Sequence, residues 1–177
     1  GNLTATNFFY NNHTWEVWFR IDDINPSNLD SSEGNSILAC YAGWHSGFLY
    51  TASSLYYAFK DGATGYPTIA SWTLGTSGTQ VIQGNWYQIV VVRSGNTFIP
   101  YLNGVQLGTG STQSPSSTNH GISDLISIGS SWNQYIGCGR WVYYGKNTIG
   151  NMKMYNRALT ASEISQNFNA LRGRYGL

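Results

Sequence analysis

The sequence predicts an all-β sandwich finished by one short helix, and three observations carry that prediction. Apolar residues recur with a period of two along most of the chain. Clusters of Gly, Asn and Ser separate these short runs. Helical signal occurs once, close to the C-terminus. Many short strands punctuated this way describe a sandwich rather than an α/β fold.

The elements follow in order. From Thr14 to Ile21, Trp15, Val17, Phe19 and Ile21 fall on one side of a strand, and Glu16, Trp18 and Arg20 on the other. Strands are expected at Ser36–Tyr41, Gly47–Ala52 and Thr68–Trp72, and Leu55, Tyr57 and Phe59 alternate against Tyr56, Ala58 and Lys60. Trp86 to Arg93 is apolar on both faces, as a strand covered on both sides must be. After the turn Ser94-Gly95-Asn96, the run Thr97 to Leu102 contains Pro100, which removes one ladder donor and marks an edge or a bulge. Asn103-Gly104, between Tyr101-Leu102 and Val105-Gln106-Leu107, is a two-residue hairpin signal, because both central residues of a type I′ turn need positive φ. Leu125–Gly129 and Thr148–Tyr155 complete the strands. The polar connections 22–35 and 108–121 read as decorated loops rather than boundaries, so residues 1–177 are expected to form a single domain.

The helix is announced by Thr160-Ala161-Ser162-Glu163, a capping box in which the Thr160 hydroxyl and the Glu163 carboxylate satisfy each other's backbone N–H. Leu159 and Ile164 stand at staple positions. Ile164, Phe168 and Leu171 form an apolar stripe that must lie on the sandwich, and Gly173 is the expected C′ residue.

Composition narrows the function. The chain has 177 residues, a formal charge of +1 and only 10% charged residues, with 15% aromatic, including 7 Trp and 13 Tyr. A neutral, hydroxyl- and amide-rich surface excludes the electrostatic footprint of a general nucleic-acid binder and a polybasic membrane anchor. No apolar run approaches the ~20 residues of a transmembrane helix. A chain starting at Gly1 is expected to be processed or excised from a longer one. Cys40 and Cys138 have no metal-ligand spacing, and two half-buried thiols are expected rather than a pair.

The stretch from Gly84 to Arg93 with Tyr101-Leu102-Asn103-Gly104, and the stretch from Ile149 through Tyr155-Asn156-Arg157-Ala158-Leu159 to Ile164, resemble laminin-G-like, concanavalin A-like jelly rolls. In those domains a Gly-led strand ends in Tyr-Asn-Arg-Ala-Leu and enters a short terminal helix. The ending Asn167 to Gly176 resembles such domains on phage and other viral structural proteins. The resemblance implies an all-β, two-sheet antiparallel jelly-roll sandwich with a short C-terminal helix, one sheet concave and loops gathered at the rim. Family members mostly bind sugars or protein partners, and some relatives are glycosidases or lyases. Many carry calcium on acidic loop residues. Here Asn151, Met152 and Lys153 stand where an acidic residue often follows the strand's Gly, so no cofactor and no metal ligand are expected, with calcium as an alternative that the motif does not support.

No catalytic residues are expected either. Glycoside hydrolysis needs two carboxylates about 5–10 Å apart. The glucanases of this fold carry them on one strand, in a run this sequence lacks. Glu16 stands alone, Glu33 lies in a polar loop, and Glu163 is occupied by capping. Asp22-Asp23 reads as a solvated loop start, because adjacent strand residues face opposite ways unless the chain bends there. His13 and His120 read as loop residues and His45 as a turn residue, with no visible partners.

What remains is aromatic residues in the connection between the strands Leu125–Gly129 and Thr148–Tyr155. Sugar rings stack their C–H faces on Trp and Tyr, while their hydroxyls seek amide and guanidinium partners. The expected ligand-binding residues are Trp132 and Trp141, with Tyr135, Tyr143 and Tyr144 beside them, and Arg140 and Asn133 supplying hydrogen bonds. Trp44 and Tyr66, in other loops, are placed to reach the same rim. The expected function is a non-catalytic, lectin-like module exposed on a virion or an extracellular structural protein, with a glycan or polysaccharide as partner. The alternative is an oligomerisation domain of a viral fibre or capsid decoration, burying its aromatics against further copies or other virion proteins. A polysaccharide-cleaving enzyme ranks third. Neither nucleic acid nor membrane is an expected partner.

Overall fold

The computed structural model describes residues 11–24, 35–40, 46–51, 53–58, 68–112, 126–128, 131–133, 140–142 and 146–177. One six-stranded sheet takes the order β10-β8-β7-β1-β14, with β9 also on β8. Its strands are β1 (His13–Asp23), β7 (Trp86–Ser94), β8 (Thr97–Leu102), β9 (Val105–Gln106), β10 (Ser111–Thr112) and β14 (Lys146–Tyr155). A second takes the order β11-β2-β3-β4-β5-β6. It comprises β2 (Asn35–Cys40), β3 (Ser46–Tyr50), β4 (Ser54–Ala58), β5 (Thr68–Gly75), β6 (Val81–Ile82) and β11 (Ile126–Ile128). A separate two-stranded ribbon pairs β12 (Ser131–Asn133) with β13 (Arg140–Val142). Pairings are antiparallel except the two-residue contact of β5 with β6.

The period of two decides the layers. Trp15, Val17, Phe19 and Ile21 of β1 and Tyr87, Ile89 and Val91 of β7 face Phe48, Tyr50, Leu55, Tyr57, Trp72 and Leu74 of the second sheet, and these side chains form the main core. The opposite face of β1 is buried as well: Thr14, Glu16 and Trp18 are each 0% exposed. The helix α1 (Ala161–Leu171) and the 3₁₀ turn Arg172–Tyr175 cover that face. Val90, Val92 and Tyr101 of the sheet meet Leu159 and Ile164 of the helical segment in a second apolar cluster. The apolar stripe of α1 is thus on the sandwich, as the sequence requires.

The capping box forms, with Thr160 Oγ1 accepting from the Glu163 N–H and the Glu163 carboxylate accepting from the Thr160 N–H at 2.8 Å. Thr14 Oγ1 accepts from the Leu159 N–H at 3.0 Å and donates to the Arg157 carbonyl at 2.9 Å, fixing the entry to the helix against β1. Gly173 follows the C-cap Arg172, at the expected C′ position, but it is not left-handed. Arg172 is helical at the C-cap, the chain tightens into the 3₁₀ turn, and Gly176, at φ +76°, takes the left-handed position instead. The reason is Tyr175, whose ring must reach Trp18 before the chain can turn away.

Asn103 and Gly104 both have positive φ, at 50° and 78°, and close the predicted hairpin. Pro100 is neither on an edge strand nor in a bulge. β8 is flanked by β7 on one side, and on the other by β10 at residues 97–98 and β9 at residues 101–102, so Pro100 falls in the gap between those two short partners. His13 is not a loop residue either: it opens β1, buried, with Nδ1 2.9 Å from the Asn11 carbonyl.

Candidate functional site

The connection from β11 to β14 carries the expected ligand-binding aromatics, and part of it is a ribbon rather than a loop. Ser131 pairs with Val142, Trp132 with Trp141, and Asn133 with Arg140. Aromatic and β-branched residues favour extended backbone, and these two triplets are rich in them. Directly opposed positions of an antiparallel pair share a face, and neighbours along a strand alternate. Positions 132 and 141 therefore share one face of the ribbon, and positions 133 and 140 the other. Tyr135, Tyr143, Tyr144 and Trp44 lie outside the described residues, as do Tyr66, His45, His120, Glu33 and Cys138.

The other described tryptophans serve packing. Trp15 and Trp72 belong to the main core. Trp18 lies under Phe168 and Tyr175, and Trp86 packs on Tyr175 with the Arg20 guanidinium 5.4 Å from its ring.

The described carboxylates are each engaged. Glu16 is buried beneath α1, accepting from the Asn167 amide at 2.8 Å with Lys153 Nζ at 3.5 Å. Glu163 caps α1 and receives the Arg157 guanidinium at 2.6 Å, which holds its carboxyl down at about 2. Asp22 and Asp23 do not begin a solvated loop. They end β1 where its register with β14 shifts, supplying the bend that adjacent strand residues need. Asp22 accepts from Arg20 Nε at 2.6 Å and from Thr148 Oγ1 at 2.7 Å, and Asp23 pairs with Lys146 Nζ at 3.2 Å. Beside them the Tyr50 hydroxyl reaches the Asp23 carbonyl at 3.3 Å, and burial pushes its phenol up to about 12.

Two concave surfaces have no counterpart in the sequence reading. One, of about 370 Å³, is polar and lined by Asn11, Asn12, Asn96 and Asn156 around Arg93. Arg93 is buried and donates from Nε to the Gly95 carbonyl. The other, of about 350 Å³, lies between β5 of one sheet and, in the other, β8 with the connection from β9 to β10, with Trp72, Pro100 and Leu107 among its walls. Residues from distant segments line each, so no local motif announces them.

The sheet order, the layered core and the terminal helix agree with one known family. The laminin-G-type family described as the Concanavalin A-like lectin/glucanases superfamily matches residues 2–165. The chain belongs to this superfamily. No curated protein matches its sequence. Among solved structures it is similar to the binding domain of botulinum neurotoxin DC in complex with rat synaptotagmin II, at 15% identity and TM-score 0.67 over 94% of this chain and 37% of that one. It is similar to the botulinum neurotoxin serotype G binding domain, at 14% identity and TM-score 0.62 over 91% and 36%. A Trypanosoma rangeli sialidase in complex with 2,3-difluorosialic acid follows at 21% identity and TM-score 0.62, over 93% and 24%. The chain thus spans about a quarter to two-fifths of the length of these structures, and what it shares with them is the fold.

Calcium, which many concanavalin A-like domains hold, does not fit the described acidic residues of this member. Asp22 and Asp23 already bind Arg20 and Lys146, and a hard cation needs six to eight oxygen ligands. Among the described residues no three of His, Cys, Asp and Glu converge. Lys153, in the position where an acid often stands, extends to Glu16.

Proposed function

We propose that this concanavalin A-like domain is a non-catalytic, lectin-like module whose ligand is a glycan or polysaccharide. The observation that supports it is the register of the β12–β13 ribbon, which sets Trp132 opposite Trp141 and Asn133 opposite Arg140. Two opposed tryptophan positions offer the aromatic surface on which a sugar ring stacks, and the amide and guanidinium offer hydrogen bonds to its hydroxyls. Tyr135, Tyr143, Tyr144 and Trp44 are proposed to join them at the rim. The engagement of Glu16, Asp22, Asp23 and Glu163 in structural contacts favours binding over glycoside cleavage. In its natural setting we place the domain, as a single module, on the exterior of a virion or an extracellular structural protein.

A glycan array followed by titration calorimetry, with and without added calcium, tests the reading. Binding tighter than the millimolar range, independent of calcium, is the expected result; no binding by any glycan overturns it.

A further inference from the structure

The register of the ribbon limits what can use all of its candidate contacts at once. Trp132 pairs with Trp141 and Asn133 with Arg140. Opposed positions share a face and successive positions alternate, so 132 and 141 lie on one side and 133 and 140 on the other. Sheets stack about 10 Å apart because the side chains between them need that room. A ring stacked on one face is therefore separated from the other face by the backbone and a layer of side chains. That is more than the width of one pyranose ring.

The two edges of the ribbon differ. β12 lies beside β2 of the second sheet, whereas β13 pairs with β12 alone among the described strands. The open passage from one face to the other thus runs over β13. This strand offers a residue to each face in succession, Arg140 and then Trp141. An edge strand also carries a row of backbone N–H and C=O groups outside the ladder, and a sugar hydroxyl can both donate and accept.

We propose that the ribbon is read by a chain of sugars rather than by a single one. One unit stacks at positions 132 and 141, the chain bends over β13, and a further unit meets positions 133 and 140. The proposal rests on the lectin-like function and narrows its ligand to an oligosaccharide or polysaccharide, for which a lone monosaccharide is only a partial ligand.

The test is a heteronuclear NMR titration of the full chain with malto-, cello- and chito-oligosaccharides, each from the monosaccharide to the hexasaccharide. In a series that binds, the hexasaccharide is expected to bind about tenfold or more tightly than the monosaccharide. The variants then divide by face. Trp141→Ala weakens short and long chains alike and keeps that ratio. Arg140→Ala removes hydrogen bonds made only by the further unit, so the ratio falls by about fivefold or more. Circular dichroism confirms that the variants fold, and Asn133→Ala, on the other strand but the same face, repeats the test if Arg140→Ala does not. Equal affinity for the monosaccharide and the hexasaccharide overturns the proposal and leaves the lectin-like function standing. A ratio unchanged in both Arg140→Ala and Asn133→Ala overturns it as well, because one unit then meets both faces or the polar face is not used. No response to any series overturns the proposal together with the function on which it rests.

Discussion

The Tyr175 ring lies 4.4 Å from the Trp18 ring with the planes 16° apart, so the last turn of the chain stacks on the centre of its first described strand. Phe168 stacks on the same indole at 5.7 Å, and Trp86 flanks Tyr175 at 4.7 Å. The C-terminal segment is therefore a third layer of the fold rather than a tail.

Removing the Tyr175 ring should show it. Tyr175→Ala is expected to lower stability by ~1–2 kcal/mol, the size of an aromatic pair plus some lost burial. Tyr175→Phe is expected to be neutral or slightly stabilising, because the Tyr175 hydroxyl is buried with no partner among the described residues. Urea unfolding of both variants checks the contrast.

Gly150 gives the reciprocal test. A Cβ at this position meets the Tyr175 ring at 2.5 Å, so Gly150→Ala must displace the ring from Trp18. A loss of ~1–3 kcal/mol is expected in the wild-type background, as for other overpacking substitutions. Most of it should vanish when Tyr175 is already Ala, and a double-mutant cycle on the same unfolding curves measures the coupling.

Acid should loosen the helix entry. The carboxyl of Glu163 is lowered from 4.5 to about 2, chiefly by the Arg157 guanidinium and then by the Thr160 backbone N–H. A depressed folded value means that the stabilisation is complete above pH 4.5 and is lost as pH falls towards 2. Glu163→Gln keeps the length of the side chain and removes its titration, so thermal melts of the variant should be flatter with pH across that interval than those of the wild type.

Much of this fold is legible in the sequence. The alternation in β1, the Asn103-Gly104 turn and the Thr160–Glu163 box are local signals, and each forms where it is written. The misreadings have a common cause, which is a partner from elsewhere in the chain. Pro100 sits in an interior strand because two short partners leave a gap beside it. Gly173 stands just past the helix without turning the chain left-handed, because Tyr175 must first reach Trp18. Glu16, which stands alone in the sequence, is buried because α1 covers it and Asn167 of that helix donates to it. At the site, the sequence singles out Trp132 and Trp141, but only backbone pairing shows that they are register partners. The cleft at Trp72 is invisible in one dimension because its walls belong to different sheets.

Trp141→Ala tests the proposed lectin function most directly. A glycan is first selected on an array with the wild-type domain, and its affinity for both proteins is then measured by calorimetry alongside thermal melts. The account predicts affinity weaker by ~1–3 kcal/mol, the size of aromatic stacking on a planar ring, with the melting temperature nearly unchanged. A variant that binds as tightly as the wild type, or one that has lost its fold at room temperature, contradicts a ligand site on the β12–β13 ribbon.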